Sequence, residues 1–242
     1  MSTAADLRLT DMSAGYRDSV ILDGLDLHVR PGEFLIVMGP SGCGKSTLLR
    51  TLAGLLTPRS GGLLVDGSGS RALVFQDDSL LPWRSVRGNV ELPLRLRGVP
   101  RAHRRQVATR WLDRVGLAGR ERALPGALSG GMRQRAQLAR ALAGAPGVLL
   151  MDEPFGALDG RSRNAMQRLL LDVWTDDPVT VVFVTHDATE ALALADRIVV
   201  LGGTPTSIVA DLPVTPHQNV RSTSDTAAVA QLLSTALQEA AE

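Results

Sequence analysis

Nine consecutive residues hold much of the chemistry this chain could do. Gly39-Pro40-Ser41-Gly42-Cys43-Gly44-Lys45-Ser46-Thr47 brings three glycines, three hydroxyls and a lysine together. That lysine is the only one in 242 residues, and every other member of the 26-strong lysine and arginine set is an arginine. The stretch fits G-x-x-x-x-G-K-[ST], in which backbone amides and one lysine cradle the phosphates of a nucleotide. An ammonium is a compact point charge on a thin stem, whereas a guanidinium is a broad planar fork. Only the former fits a closed loop of amides, so chance is a poor account of where the lone lysine stands.

Further along, Val148-Leu149-Leu150-Met151-Asp152-Glu153 is an apolar run that ends in two carboxylates. Such a run reads as a buried strand delivering both acids to its C-terminal edge, where α/β sheets bind ligands. Leu128-Ser129-Gly130-Gly131-Met132-Arg133-Gln134 places a serine and two glycines where a helix would begin. Exposed N–H groups and the helix dipole make an anion site there, and glycine allows a phosphate to approach the backbone closely. His186 follows another apolar run in Val184-Thr185-His186-Asp187. Gln76 follows a third, in Val74-Phe75-Gln76-Asp77.

These residues need a scaffold of a particular kind. Glu33 to Met38 is a near-continuous apolar run entering the glycine-rich loop, and Ser46 to Leu56 follows with helical spacing. Strand, loop and helix in that order are the context a phosphate loop requires. Ala72 to Phe75, Val148 to Met151, Val179 to Val184 and Arg197 to Leu201 are further buried-strand candidates, with helical patterns between them. That alternation argues for a parallel sheet covered by helices. Leu7 to Met12 and Val20 to Val29 alternate instead, which predicts a half-buried antiparallel layer at the N-terminus. Residues 77–146 are rich in arginine and helical in period, and read as a helical subdomain inserted into the α/β core. Near the end Val229, Leu232, Leu233, Ala236, Leu237 and Ala240 share a helical face, with Ser224 as the expected N-cap.

Composition narrows the function. Acids and bases nearly balance at a net charge of +1, which leaves no nucleic-acid footprint. Arg101, Arg104, Arg105 and Arg110 form a basic helix face without interleaved aromatics, and such a face reads as solvated. No apolar run approaches the roughly 18–20 residues that span a bilayer, and Met1 to Asp6 does not resemble a signal peptide. A single cysteine permits no internal disulfide, which suits a reducing cytosol. Scarce lysine beside abundant Arg, Ala, Gly and Leu points to a coding bias toward G and C, which carries no functional information.

The order of these motifs resembles the ATPase subunit of ABC transporters over almost the whole chain. Leu128 to Gln134 is similar to that family's LSGGQ signature with Met132 in fifth place, and Val148 to Glu153 to its Walker B strand. The resemblance implies a P-loop NTPase (RecA-like) α/β core and a single domain over 1–242, with the helical subdomain inserted at 77–146. It implies ATP and Mg²⁺ as cofactors, with the metal held by Ser46, Gln76 and Asp152. Glu153 would be the general base and His186 the γ-phosphate contact, with Gln76 and Lys45 completing the catalytic set. ATP would lie against Tyr16 through its adenine ring, against residues 39–47 through its phosphates, and against Ser129, Gly130 and Gly131 of a second subunit. Tyr16 is the only tyrosine; a surface tyrosine is the bland alternative. Ala157-Leu158-Asp159 resembles the loop that crosses to that subunit. Ala127 departs from the family, which often has Gln or Glu just before the signature. His28, His103 and His217 match no motif.

Each motif occurs once, so the resemblance implies a dimer, with the homodimer the expected form. It implies separate membrane-embedded permease subunits, an indirect link to a solute-binding protein, and a place on the cytoplasmic face of the inner membrane. Gln76 followed by Leu80-Leu81-Pro82-Trp83 resembles the nitrate, taurine and aliphatic-sulfonate importer branch, whose solutes are small anions. Leu80, Leu81 and Trp83 are expected to form an apolar patch for a permease helix, or else to pack within the helical subdomain. The alternative reading is a soluble ABC ATPase, such as one serving iron–sulfur cluster assembly.

Overall fold

The computed structural model describes residues 4–67, 70–77, 79–214 and 223–241, and the side chains of 223–226 lie outside the description. β1 (Leu7–Tyr16) and β2 (Ser19–Val29) form a hairpin in which Leu7 faces Val29 and Tyr16 faces Ser19. β3 (Phe34–Met38) runs through the glycine-rich loop into α1 (Lys45–Leu52), and β4 (Ser60–Val65) returns to pair with β1. β5 (Arg71–Val74) precedes a run of helices: α2 (Val86–Val90), α3 (Leu92–Leu96), α4 (Arg101–Arg114), a 3-10 turn (Pro125–Ala127) and α5 (Gly130–Ala143). Then follow β6 (Val148–Asp152), α6 (Gly160–Asp176), β7 (Thr180–Val184), α7 (Ala188–Leu194), β8 (Arg197–Gly202), β9 (Ser207–Pro213) and α8 (Thr223–Glu239).

The main sheet has the order β5-β6-β7-β3-β8-β9, parallel except for β9 at its edge; β2-β1-β4 is a separate antiparallel sheet. The side-chain alternation of a strand explains how the layers stack. Phe34, Ile36, Met38, Leu149, Met151, Val181 and Phe183 belong to a core shared with the helices. Their neighbours Leu35, Val37, Val148, Leu150, Val182 and Val184 belong to a second core shared with β1, β2 and α1. These central strands are therefore almost continuously apolar, with Asp152 and Thr180 only at strand ends, because both faces are covered, at roughly 1.5–3 kcal/mol per fully buried large side chain. Phe34 adds an edge-on contact with Trp174 at 5.7 Å and lies 6.0 Å from Phe183.

Two strands were not anticipated. β4 reads Ser-Gly-Gly-Leu-Leu-Val, and its paired glycines weaken the local signal; β9 alternates between partly buried and exposed positions as a sheet edge does. The helix after the glycine-rich loop ends at Leu52, not Leu56. Gly54 turns there at φ +75°, and Leu55 is exposed. In α8, Leu233, Ala236 and Ala240 are buried and Val229 and Leu237 partly so, but Leu232 points to solvent. Ser224 as a cap and His217 lie outside the described side chains. Leu80 belongs to the helical core and only Trp83 of the expected patch is strongly exposed, at 73%. The packing alternative therefore holds for Leu80. Arg101, Arg105 and Arg110 face solvent, while Arg104 donates to the Val99 carbonyl.

Candidate functional site

Strand order makes the site. β5, β6, β7 and β3 lie side by side and parallel, so their C-terminal ends form one row. Off these ends come, in order, Gln76, then Asp152 and Glu153, then Thr185 and His186, then the loop from Gly39 to Lys45. At about 4.8 Å between strands, the row spans roughly 14 Å. Four segments separated by up to 147 positions in sequence are adjacent only because of this order.

The loop itself is shaped for an anion. Gly44, at φ +97°, caps α1 with no side-chain hydrogen bond to its first amides. A Cβ at Gly44 would sit 2.7 Å from Ile21 Cγ2 and 2.8 Å from Leu22 Cδ2, so both backbone and neighbours require glycine. The buried Lys45 ammonium donates to the carbonyls of Gly39 at 2.9 Å and Pro40 at 2.7 Å, which holds it across the loop. Ser46 is exposed and Thr47 buried. Burial pushes the Cys43 thiol above its ordinary range, with Lys45 opposing; the thiol is therefore protonated and slow to react at neutral pH.

Glu153 follows β6 at φ +43°, a left-handed conformation that costs a non-glycine residue on the order of 1–3 kcal/mol. Its N–H donates to the Val184 carbonyl at 3.1 Å, and its own carbonyl accepts from Gly156 N–H at 3.1 Å. These bonds hold the turn so that the carboxylate Oε2 lies 3.1 Å from Nδ1 of His186. A Cβ at Gly156 would lie 3.7 Å from Gln76 Nε2 and 3.8 Å from Glu153 Oε2, so Gln76 and Glu153 flank this glycine. Gln76, Glu153 and His186 thus converge. Asp152 sits one residue earlier on β6, partly buried.

A hydroxyl at Ser46, a carboxylate at Asp152 and the amide oxygen of Gln76 make an all-oxygen donor set. That suits a hard cation such as Mg²⁺, which takes one or two carboxylates and fills its other positions from phosphate and water. Among the described residues no cluster of three or more His, Cys, Asp or Glu forms a cage of protein ligands.

Tyr16, at the tip of the β1–β2 hairpin, is partly exposed and its Oη accepts from Arg50 Nη1 of α1 at 2.9 Å. The ring is fixed beside the helix that begins with Lys45. Ser129, Gly130 and Gly131 are elsewhere, at the start of α5. Ser129 Oγ accepts from Met132 N–H at 3.4 Å, and the same groove is lined by Arg120, Arg135, Arg161 and Ser162. Asp159 likewise caps α6, accepting from Ser162 N–H at 2.9 Å; these donors hold its carboxyl below the usual range. His28 pairs with Asp6, and His103 is exposed.

Sequence reading missed several supporting side chains. Gln137, one turn beyond Gln134 on α5, is buried and donates to the carbonyls of Phe75 at 3.1 Å and Asp77 at 3.0 Å, bracketing Gln76. Gln134 donates to the Pro154 carbonyl at 2.8 Å, beside Glu153. Arg163 of α6 pairs with Asp187 at 3.1 Å, beside His186. Polar residues at the inward positions of α5 were the available signal.

Comparison with known proteins fits this arrangement. Residues 22–156 match the profile described as ABC transporter. A taurine import ATP-binding protein of Chromobacterium violaceum is 52% identical over 197 residues, covering 79% of this chain and 76% of that protein. An aliphatic sulfonates import ATP-binding protein of Rhodococcus jostii is 48% identical over 225 residues, covering 90% and 87%. An ATP-binding cassette solved as a dimer in a post-hydrolysis state with ADP and Pi shares 30% identity at a TM-score of 0.75, over 87% of this chain and 99% of that one.

Proposed function

We propose, from the fact that this chain belongs to the ABC transporter family, that it drives uptake of a small anion of the sulfonate, taurine or nitrate class. It is an ATP-binding ATPase of that family. Two copies would act together and work through separate permease subunits at the cytoplasmic face of the membrane. No helix among the described residues is long and apolar enough to cross a membrane. The solute class rests on the names of the taurine and sulfonate relatives. Residues 77–146 would be the helical subdomain inserted in the single domain.

The observation that carries the catalytic reading is the row of four parallel strand ends bearing Gln76, Asp152–Glu153, His186 and the Lys45 loop. In this reading the amides of residues 39–47 and the Lys45 ammonium bind the β- and γ-phosphates. Tyr16 stacks on the adenine. Ser129, Gly130 and Gly131 of the second copy offer the N-terminus of α5 to the γ-phosphate, closing the site. Glu153, aimed by its strained turn, accepts the proton of the attacking water, and His186 holds Glu153 and the γ-phosphate in register. Gln76 orients the water from the other side. Ser46, Asp152 and Gln76 would hold Mg²⁺, which supplies neutralisation of phosphate charge when bound.

Purification from membranes tests the transport part. The chain should co-purify with hydrophobic permease subunits, and its ATP hydrolysis in that complex should rise when the loaded solute-binding protein is added. Recovery only as a soluble complex with no membrane subunit would favour a soluble ABC ATPase instead.

A further inference from the structure

Behind the phosphate loop lies a joint that the motifs do not include. Thr206, in the turn between β8 and β9, is 3% exposed, and its Oγ1 donates to the Cys43 carbonyl at 2.6 Å. Its backbone is tied on both sides to β2: Thr206 N–H donates to the Ile21 carbonyl at 2.8 Å, and Asp23 N–H donates to the Thr206 carbonyl at 3.1 Å. Ile21 and Leu22 of that same strand crowd Gly44.

A trans peptide is planar and carries its C=O and N–H on opposite edges. Fixing the Cys43 carbonyl therefore fixes the direction of the Gly44 N–H, which then points away from Thr206. Gly44 is the glycine at the head of α1, where the loop's amides turn toward an anion. With φ +97° and no side chain, its plane has little local restraint of its own. An anchor from outside the loop is present: the Thr206 hydroxyl has one hydrogen, and the Cys43 carbonyl at 2.6 Å is its nearer acceptor, with the Gly203 carbonyl at 3.4 Å.

We propose that Thr206 is a positioning residue for nucleotide binding: its hydroxyl holds the Cys43–Gly44 peptide plane so that the Gly44 amide faces the phosphates. The inference rests on the ATP site proposed above and adds a residue to its support. It sets phosphate affinity and leaves the hydrolytic groups Glu153 and His186 untouched.

Thr206→Val keeps the shape and removes the donor, leaving a buried carbonyl unpaired. ATP binding should weaken about fivefold to thirtyfold. KM for ATP should rise by the same factor, with kcat at saturating ATP retained. Thr206→Ser keeps the hydroxyl and should bind ATP as the natural chain does. Calorimetric titration with ATP, and the rise in melting temperature that ATP produces in each variant, read this directly. A merely structural role would lower the melting temperature of Thr206→Val without changing ATP affinity, and that result would overturn the inference. So would a Thr206→Ser variant as weak as Thr206→Val. Failure of the natural chain to bind ATP would instead remove the proposed site, and this inference with it.

Discussion

Glu153→Gln should lose ATP turnover by about 100- to 10,000-fold, the usual worth of a positioned general base, while ATP affinity stays within a factor of two or so. Glutamine is nearly isosteric, and the strained turn at φ +43° is set by backbone bonds to Val184 and Gly156, so the local structure survives. Its amide can still meet His186, as the 3.1 Å contact with Glu153 Oε2 requires. What it cannot do is accept a proton from water. ATP then binds but is not consumed, and the variant should accumulate as a closed, ATP-bound dimer, seen as a nucleotide-dependent doubling of mass by light scattering. Hydrolysis at the natural rate would remove Glu153 from the role of base.

The second large effect is at Lys45. Lys45→Met preserves length and loses charge. Hydrogen bonds to charged groups are worth about 1.5–3 kcal/mol, so ATP affinity should fall roughly 10- to 100-fold and hydrolysis should fall further. Lys45→Arg is the sharper variant, because it keeps the charge. The ammonium lies within 3 Å of two loop carbonyls, Gly39 and Pro40, in a buried position that a planar fork does not match. Lys45→Arg should therefore fail to restore hydrolysis. Restored turnover would mean that charge alone matters there. Fluorescent-nucleotide titration and phosphate release measure both variants.

How much of this was legible in the sequence follows from what each residue depends on. The loop from Gly39 to Thr47 announces itself because its glycines and lysine answer local needs of backbone and phosphate. The strands at Phe34, Val148, Thr180 and Arg197 were legible because burial on both faces leaves a continuous apolar run. The resemblance then supplied roles for Glu153 and His186 that spacing alone does not give. β4 and β9 were missed because glycines and half-exposure blur an edge strand. Trp83 and Leu80 could not be told apart: both are large and apolar, and only the path of the chain after Gln76 buries one and leaves the other in solvent. The inward polar position of Gln137 on α5 was visible, but its partners were not, and Arg163 and Thr206 were missed for the same reason. Their partners are backbone carbonyls or a carboxylate far away in sequence, which no local pattern encodes.

The central claim is that the phosphates of ATP sit on Lys45, and composition makes that claim unusually easy to test. With one lysine in the chain, an amine-directed reagent can modify only Lys45 and the N-terminal amine. Peptide mapping after labelling with and without ATP separates the two. Occupied phosphates should shield the ammonium, so the account predicts that ATP strongly slows labelling of Lys45 while the N-terminal amine reacts as before. Labelling of Lys45 at the same rate with saturating ATP would contradict it.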